Sequence, residues 1–308
     1  MPSDPSRSPE PSAIQRTASN ALQARSVKVE RLDGYLYRTY RLTTSKHFFY
    51  LLRCRPSHHV RLLRHEEDRL EAEAGALQVL GARLPGFSTR LIEYATTSIA
   101  IGSKYVVSGP FGGSILADIE SSFSRQAVAD TDRSLGQFIR GLANVTGAAF
   151  GSLRQIQGTG SPSWGRVFAA MLETVLRDAE DALISLPYGS INDLVRRHRA
   201  ALDQITQPRL VVLECLADED VVVDTKTNRV TLLDWSTALW GDPYMSDVWY
   251  KPTSSFVEGY GKLPNSSPDE RTRQYLYVLY HSLLAVVRHT YRPSDDTDDL
   301  EPRRDLTT

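Results

Sequence analysis

Cysteine is scarce: Cys54 and Cys215 are the only two, and they lie far apart. Two cysteines build neither a disulfide framework nor a cysteine zinc site, and their scarcity suits a reducing, cytoplasmic setting. An excess of charge of either sign is also missing. The 36 Lys and Arg residues face 37 Asp and Glu, which excludes a broad electrostatic nucleic-acid binder. Long apolar runs are absent too, so no membrane span is expected. The best candidate, Tyr275–Val287, is short and carries His281. The N-terminus lacks the apolar stretch of a signal peptide. Arg7, Arg16 and Arg25 faintly suggest a transit peptide, but Asp4 and Glu10 argue against one.

What is there is an ordinary globular composition. The chain has 308 residues, 41% of them hydrophobic and 24% charged, enough for one large domain or two lobes. Residues 1–26 are rich in Ser, Pro and Ala without apolar periodicity and are expected to be a disordered tail. From Ser294 a run of acids reads as a second solvated, disordered tail, 294–308. Between the tails the character changes once. Residues 27–108 carry short β-type runs at Val27–Leu32, Tyr37–Thr43, His47–Cys54, Thr89–Tyr94 and Lys104–Ser108, with a turn at Thr44-Ser45-Lys46. One helix is expected from Glu66 to Leu80, with Leu70, Ala74, Leu77 and Leu80 on one face and Gly81 as its stop. Ser108-Gly109-Pro110-Phe111-Gly112-Gly113 is a cluster of structure breakers and reads as a linker.

Residues 109–293 are mostly helical. Leu135, Phe138, Ile139, Leu142 and Val145 keep helical spacing, and Phe168, Met171, Leu172, Val175 and Leu176 repeat it. So do Ile191, Leu194, Val195 and Leu202. Leu276, Leu279, Tyr280, Leu283, Leu284 and Val287 form a stripe that reads as a core face. A β-hairpin interrupts the helices, with strands Val221–Val223 and Val230–Leu233 and a turn at Asp224–Asn228. Asp234 stands at its exit.

A β-rich segment, a linker and a helical segment that holds a hairpin with an acid at its exit make a kinase-like layout. In the first segment the informative runs are Leu32-Asp33-Gly34-Tyr35-Leu36-Tyr37-Arg38-Thr39-Tyr40, Tyr50-Leu51-Leu52-Arg53-Cys54-Arg55-Pro56, and Leu63-Arg64-His65-Glu66 leading to Leu70-Glu71-Ala72-Glu73-Ala74. In the second they are Phe150-Gly151, then Asp220 through Leu233-Asp234-Trp235, Leu239-Trp240-Gly241-Asp242-Pro243 and Asp247. With these residues the chain resembles the aminoglycoside phosphotransferase and choline kinase-like family, including its fungal-looking members, over residues 30 to about 262.

The resemblance implies an α+β, bilobal, protein-kinase-like fold with a small β-rich N-lobe (27–108) and a larger helical C-lobe (109–293). It also implies ATP and Mg²⁺ as cofactors and a small-molecule acceptor. Phosphoryl transfer is mostly positioning and charge neutralisation, and the roles stem from that. Asp234 and Asp220 are the candidate Mg²⁺ ligands, both hard oxygen donors; Asp220 stands where the family usually has Asn. Arg53 takes the place of the phosphate-binding cation, with Glu73 as its partner, and Gly34 lies in the loop over the phosphates. Each has a plainer reading: Asp234 as a strand-exit cap, Asp220 as a turn acid, Arg53 and Glu73 as solvated residues, Gly34 as a hairpin turn. Asp247 resembles the aspartate that braces the catalytic loop.

The departure lies in that loop. The family pattern is His-x-Asp, four residues, then Asn; here Leu213-Glu214-Cys215 stands in its place and the general base is missing. Glu214 is one residue off register, and Cys215 could act only with a lowered pKa and a partner base. Three functions are compatible with this. In the first, a kinase-fold protein has weak or lost phosphoryl transfer. In the second, an active phosphotransferase acts on a small hydroxylated metabolite through Glu214 or substrate positioning. In the third, a pseudokinase binds nucleotide, a metabolite or a protein partner. Trp164, Trp240, Trp249, Tyr244 and Tyr250 either line an acceptor cleft or pack the core. His58, His59 and His65 read as surface residues, and Arg61, Arg64 and Arg69 as a solvated helix face.

Overall fold

The computed structural model describes residues 10–44, 48–84, 86–153, 160–264 and 266–293. In chain order these form α1 (Pro11–Ala21), β1 (Lys28–Leu32), β2 (Arg38–Thr43), β3 (Phe48–Cys54), α2 (Arg69–Arg83), β4 (Arg90–Ala95), β5 (Tyr105–Gly112), β6 (Ser114–Ile115), α3 (Leu116–Ile119) and α4 (Arg125–Ala143). There follow β7 (Gly151–Ser152), α5 (Trp164–Asp181), α6 (Tyr188–Arg197), α7 (Arg199–Asp203), β8 (Arg209–Val212), β9 (Val221–Asp224), β10 (Arg229–Leu232), β11 (Ala238–Gly241), α8 (Ser254–Tyr260) and α9 (Pro268–Tyr291). The class is α+β, an N-terminal antiparallel sheet followed by a helical part. By packing, one compact unit takes the chain up to Val60, Arg69–Ser134 and Ala217–Thr237; the other takes Arg61–Asp68, Leu135–Leu216 and the chain from Ala238. The expected division at residue 108 groups the Val221–Leu232 hairpin differently, with the helices rather than with the sheet.

In the first unit five antiparallel strands run in the order β1-β2-β3-β5-β4. Side chains alternate across a strand, and on β3 this alternation sorts the residues between two cores. Leu52 and Cys54 point to one face, where they pack with Leu42, Val107 and the α1 residues Ile14 and Ala18. Phe49 and Leu51 belong to the other face and pack with Phe111, Ile115, Val222 and Leu233. Arg53 keeps step with Phe49 and Leu51, so its charge is carried to the face that holds the β9–β10 hairpin.

The expectation of a disordered tail over residues 1–26 fails for the described part of them. Residues 11–21 form α1, with Pro at its first turn and Ala13, Ile14, Thr17 and Ala18 buried. A stripe of small residues with one large apolar side chain gives little periodic signal, yet it covers the sheet. The breaker cluster at 108–113 is not a linker either: β5 continues to Gly112, and Ser108 and Phe111 are buried. Its register with β3 steps from Leu51↔Ser108 to Phe49↔Phe111, and Gly109 and Pro110 sit in that irregularity, where a strand tolerates them. Gly81 does not end the helix, which runs Arg69–Arg83. A glycine inside a helix costs about 1 kcal/mol relative to Ala, and the buried Leu77 and Leu80 hold the turn. Arg64–Glu66 is a separate 3-10 turn. The expected turn at Ser45-Lys46 and the acidic tail 294–308 lie outside the described residues.

The second unit packs Trp164, Phe168, Leu172, Tyr277, Tyr280 and Leu283 into one core. A small sheet, β7-β11-β8, runs beside it. Along α9 the predicted stripe is largely the buried one: Leu276, Tyr280, Leu283, Leu284 and Val287 are buried. Among the described residues no helix is long and apolar enough to cross a membrane.

Candidate functional site

Arg53 is the centre of a charged cluster in the first unit. It is 3% exposed, so its guanidinium must find partners inside. Its Nη1 donates to Glu73 Oε1 at 2.8 Å and to the Leu233 carbonyl at 3.0 Å. The same nitrogen lies 3.7 Å from Asp234 Oδ1. Glu73, on α2, also accepts from the Ser108 hydroxyl at 3.4 Å. The hairpin brings Asp234 in: the Leu233 N–H donates to the Asp220 carbonyl at 2.7 Å, closing the pairing one residue beyond β10. Asp234 Oδ1 then accepts the Ser236 N–H at 2.7 Å. Arg53 Nη2 and Glu73 Oε2 are buried without a hydrogen-bond partner.

The electrostatics are set by this packing. Burial works against the Arg53 charge, but Glu73, Asp234 and Asp220 outweigh it and raise its pKa. Burial pushes the Glu73 carboxyl up to about 7 against the pull of Arg53. Burial also opposes ionisation of Asp234, but Arg53 and Arg69 together hold it below the usual carboxylate range.

The loop between β1 and β2 lies beside this cluster. Gly34 has φ +89° and open space where a Cβ would stand; only glycine takes that backbone without strain. The next residue, Tyr35, donates its hydroxyl to the Glu219 carbonyl. Its ring stands 5.9 Å from the Arg53 guanidinium, a cation–π distance. Tyr35, Arg53, Arg69, Glu73, Asp234 and Ser236 share the wall of a small hollow of 30 Å³.

Four of the sequence-predicted residues, Arg53, Glu73, Asp234 and Asp220, therefore interact within one unit. Gly34 is next to Tyr35 at their edge. The expectation that Arg69 lies on a solvated helix face fails: Arg69 is buried and faces Asp234. A signal for this exists in the sequence. Arg69 precedes Glu73 by four residues, so the two share a helix face.

The segment at 213–215 belongs to the second unit. Asp247 holds it in place: Oδ1 accepts the Cys215 N–H at 3.0 Å and Oδ2 the Leu216 N–H at 3.4 Å. The Asp247 N–H donates to the Leu213 carbonyl at 2.8 Å. Burial pushes the Asp247 carboxyl up to about 7. Glu214 turns to α9, where Arg288 Nη2 donates to its Oε1 at 2.6 Å. Arg288 also reaches the buried Glu66 at 3.4 Å, and Arg292 joins Glu66 at 2.7 and 2.9 Å. Cys215 is buried, with Sγ 3.4 Å from Ser246 Oγ and 3.9 Å from the Val212 carbonyl.

Three comparisons with known proteins bear on this arrangement. The model of the phosphotransferase enzyme family matches residues 28–259. No curated protein matches the sequence. Among solved structures, the choline kinase LicA of Streptococcus pneumoniae aligns over 96% of this chain and 98% of its own, with TM-score 0.59 and 14% identity. The ethanolamine kinase of Plasmodium vivax aligns over 92% and 82%, with TM-score 0.59 and 12% identity. The streptomycin–ATP–APH(2″)-IIa ternary complex aligns over 96% of both chains, with TM-score 0.58 and 12% identity. At these identities the likeness is one of fold.

Proposed function

Because the chain belongs to the phosphotransferase enzyme family, we propose that its β-rich unit binds the phosphates of ATP with Mg²⁺, and that transfer to a small-molecule acceptor is weak or lost. The observation that carries the first half is the meeting of Arg53, Glu73 and Asp234 around one guanidinium nitrogen. Burying an arginine and two acids together is costly, and a core built for stability alone would do better with apolar side chains. One solved relative is a complex that contains ATP.

The residues fit the cofactors. Arg53 Nη2 is a buried donor that still needs an acceptor, and a phosphate oxygen supplies one. Glu73 fixes the orientation of Arg53, and Gly34 lets the loop backbone approach the phosphates. Asp234 is about one-fifth exposed and has one oxygen beyond the one on Ser236. With Asp220 it provides the two carboxylates a nucleotide-bound Mg²⁺ uses. When bound, the ion neutralises charge on the phosphate oxygens.

The second half rests on the segment 213–215. Leu213 and Cys215 are buried, and Glu214 is committed to Arg288 at 2.6 Å. A positioned general base contributes about 10²–10⁴-fold, or roughly 3–5 kcal/mol. In a loose transition state the acceptor proton leaves late, so some transfer survives without it. The ion pair favours the nucleotide-binding pseudokinase over an active enzyme that uses Glu214. The test is ATP turnover, with an acceptor screen, in the wild type and in Cys215→Asp. Turnover that appears only in the variant supports this reading; wild-type turnover that falls in Glu214→Gln supports the active enzyme.

A further inference from the structure

The second unit holds a cavity of 190 Å³ whose walls differ in kind from the charged hollow of the first. Tyr244, Trp249, Tyr250, Tyr277, Val278 and Ala285 line it. On α9 the lining positions are 274, 277, 278, 281, 282 and 285, the 3–4 spacing of a single helix face. Four polar ends of these walls are spent on the protein. Trp249 Nε1 donates to the Pro243 carbonyl at 3.1 Å, and the Tyr277 hydroxyl donates to Asp242 at 2.7 Å. Gln274 donates to the Tyr244 carbonyl at 3.2 Å, and His281 Nε2 meets the Met245 carbonyl at 2.7 Å.

One carboxyl lines the cavity, that of Asp247, and both its oxygens accept backbone N–H groups. Neither Lys nor Arg is among the described lining residues. Burial lowers the His281 pKa, which keeps the ring neutral at neutral pH. A charged ligand would therefore give up its hydration without meeting an unspent counter-charge. An aromatic ring would meet ring faces and edges: Tyr244 and Trp249 already stand edge-to-face at 5.0 Å, a geometry that rewards a further ring. Size narrows the class. An apolar cavity of roughly 150 Å³ accepts benzene, and this one is somewhat larger. Ser246 and Ser282 bring hydroxyl-bearing side chains to the lining, enough for one polar substituent.

We infer that this cavity binds a neutral aromatic molecule of one or two rings with a single hydrogen-bonding substituent. The inference goes beyond the nucleotide reading, because the site lies within the second unit and its occupancy is measured without nucleotide. Saturation-transfer NMR and calorimetric titration of the full chain with phenol, indole, benzylamine and benzoate test it. Phenol and indole should bind, and the two charged analogues should bind roughly tenfold more weakly or not at all. Ala285→Trp, which fills the cavity, should weaken phenol by roughly tenfold, with the fold checked by circular dichroism. Failure of both neutral probes to bind, or equal binding of the charged ones, overturns the inference. If Ala285→Trp does not fold, Val278→Ala replaces it: widening the wall should favour indole over phenol by several-fold, and an unchanged ratio counts against the site. MgATP titration of the same variants keeps the two proposals apart, since the charged cluster contains neither residue.

Discussion

The cluster around Arg53 and the segment around Cys215 make opposite use of charge. At Arg53 a buried cation meets two carboxylates and keeps one nitrogen unpaired. At Cys215 the charged groups pair with one another or with the backbone: Glu214 with Arg288, and Asp247 with two backbone N–H groups. The first arrangement leaves bonding capacity for something that is not protein. The second leaves its acids engaged in holding a loop. On the proposed function, the first arrangement would position a polyanion, while the second would stand where the family has its general base.

Substitutions can break or sharpen this contrast. The largest effect belongs to Arg53→Leu. It strips the buried Glu73 of its counter-charge, and breaking a buried pair costs about 3–5 kcal/mol; urea unfolding should show a loss of that size. Asp234→Ala comes next. It should weaken MgATP by roughly tenfold or more, about 1.4 kcal/mol, with a smaller change in stability. Gly34→Ala should cost about 1 kcal/mol, because Ala is strained at φ +89°. Glu214→Gln should have the smallest effect. The Glu214–Arg288 pair is partly exposed on both sides, and such pairs contribute about 0–1 kcal/mol. Nucleotide binding should be unchanged in that variant.

A pH series sharpens the comparison without removing a side chain. The folded Glu73 carboxyl sits at about 7, above its ordinary 4.5. The native state then holds a proton that the unfolded chain has lost, so Glu73 makes stability fall as pH rises from about 4.5 through 7. Asp234 works the other way: its folded pKa is lowered, so its contribution is present above its unfolded value and is lost as pH falls through the folded one. Urea midpoints of wild type and Glu73→Gln over this range should diverge, the variant losing the downward slope.

Much of the Arg53 cluster is legible in the sequence because it depends on local periodicity. The alternation along Tyr50–Cys54 puts Arg53 opposite Leu52, and the hairpin places Asp234 at a strand exit. What is not legible depends on distant partners. Arg69 looks solvated among Glu66, Glu67 and Asp68, although its four-residue spacing from Glu73 marks a shared face. The partner of Glu214 lies 74 residues away on α9, and no local pattern announces it. The helix at Pro11–Ala21 escapes for another reason: its buried face is made of Ala and Thr around Ile14, which becomes a core only when the sheet lies against it.

The most direct measurement is calorimetric titration of ATP into the full chain, with and without Mg²⁺, beside Asp234→Ala. Saturable, Mg²⁺-dependent binding in the wild type that drops by roughly tenfold or more in the variant is the predicted result. No binding in the wild type, or the same affinity in both proteins, would contradict it.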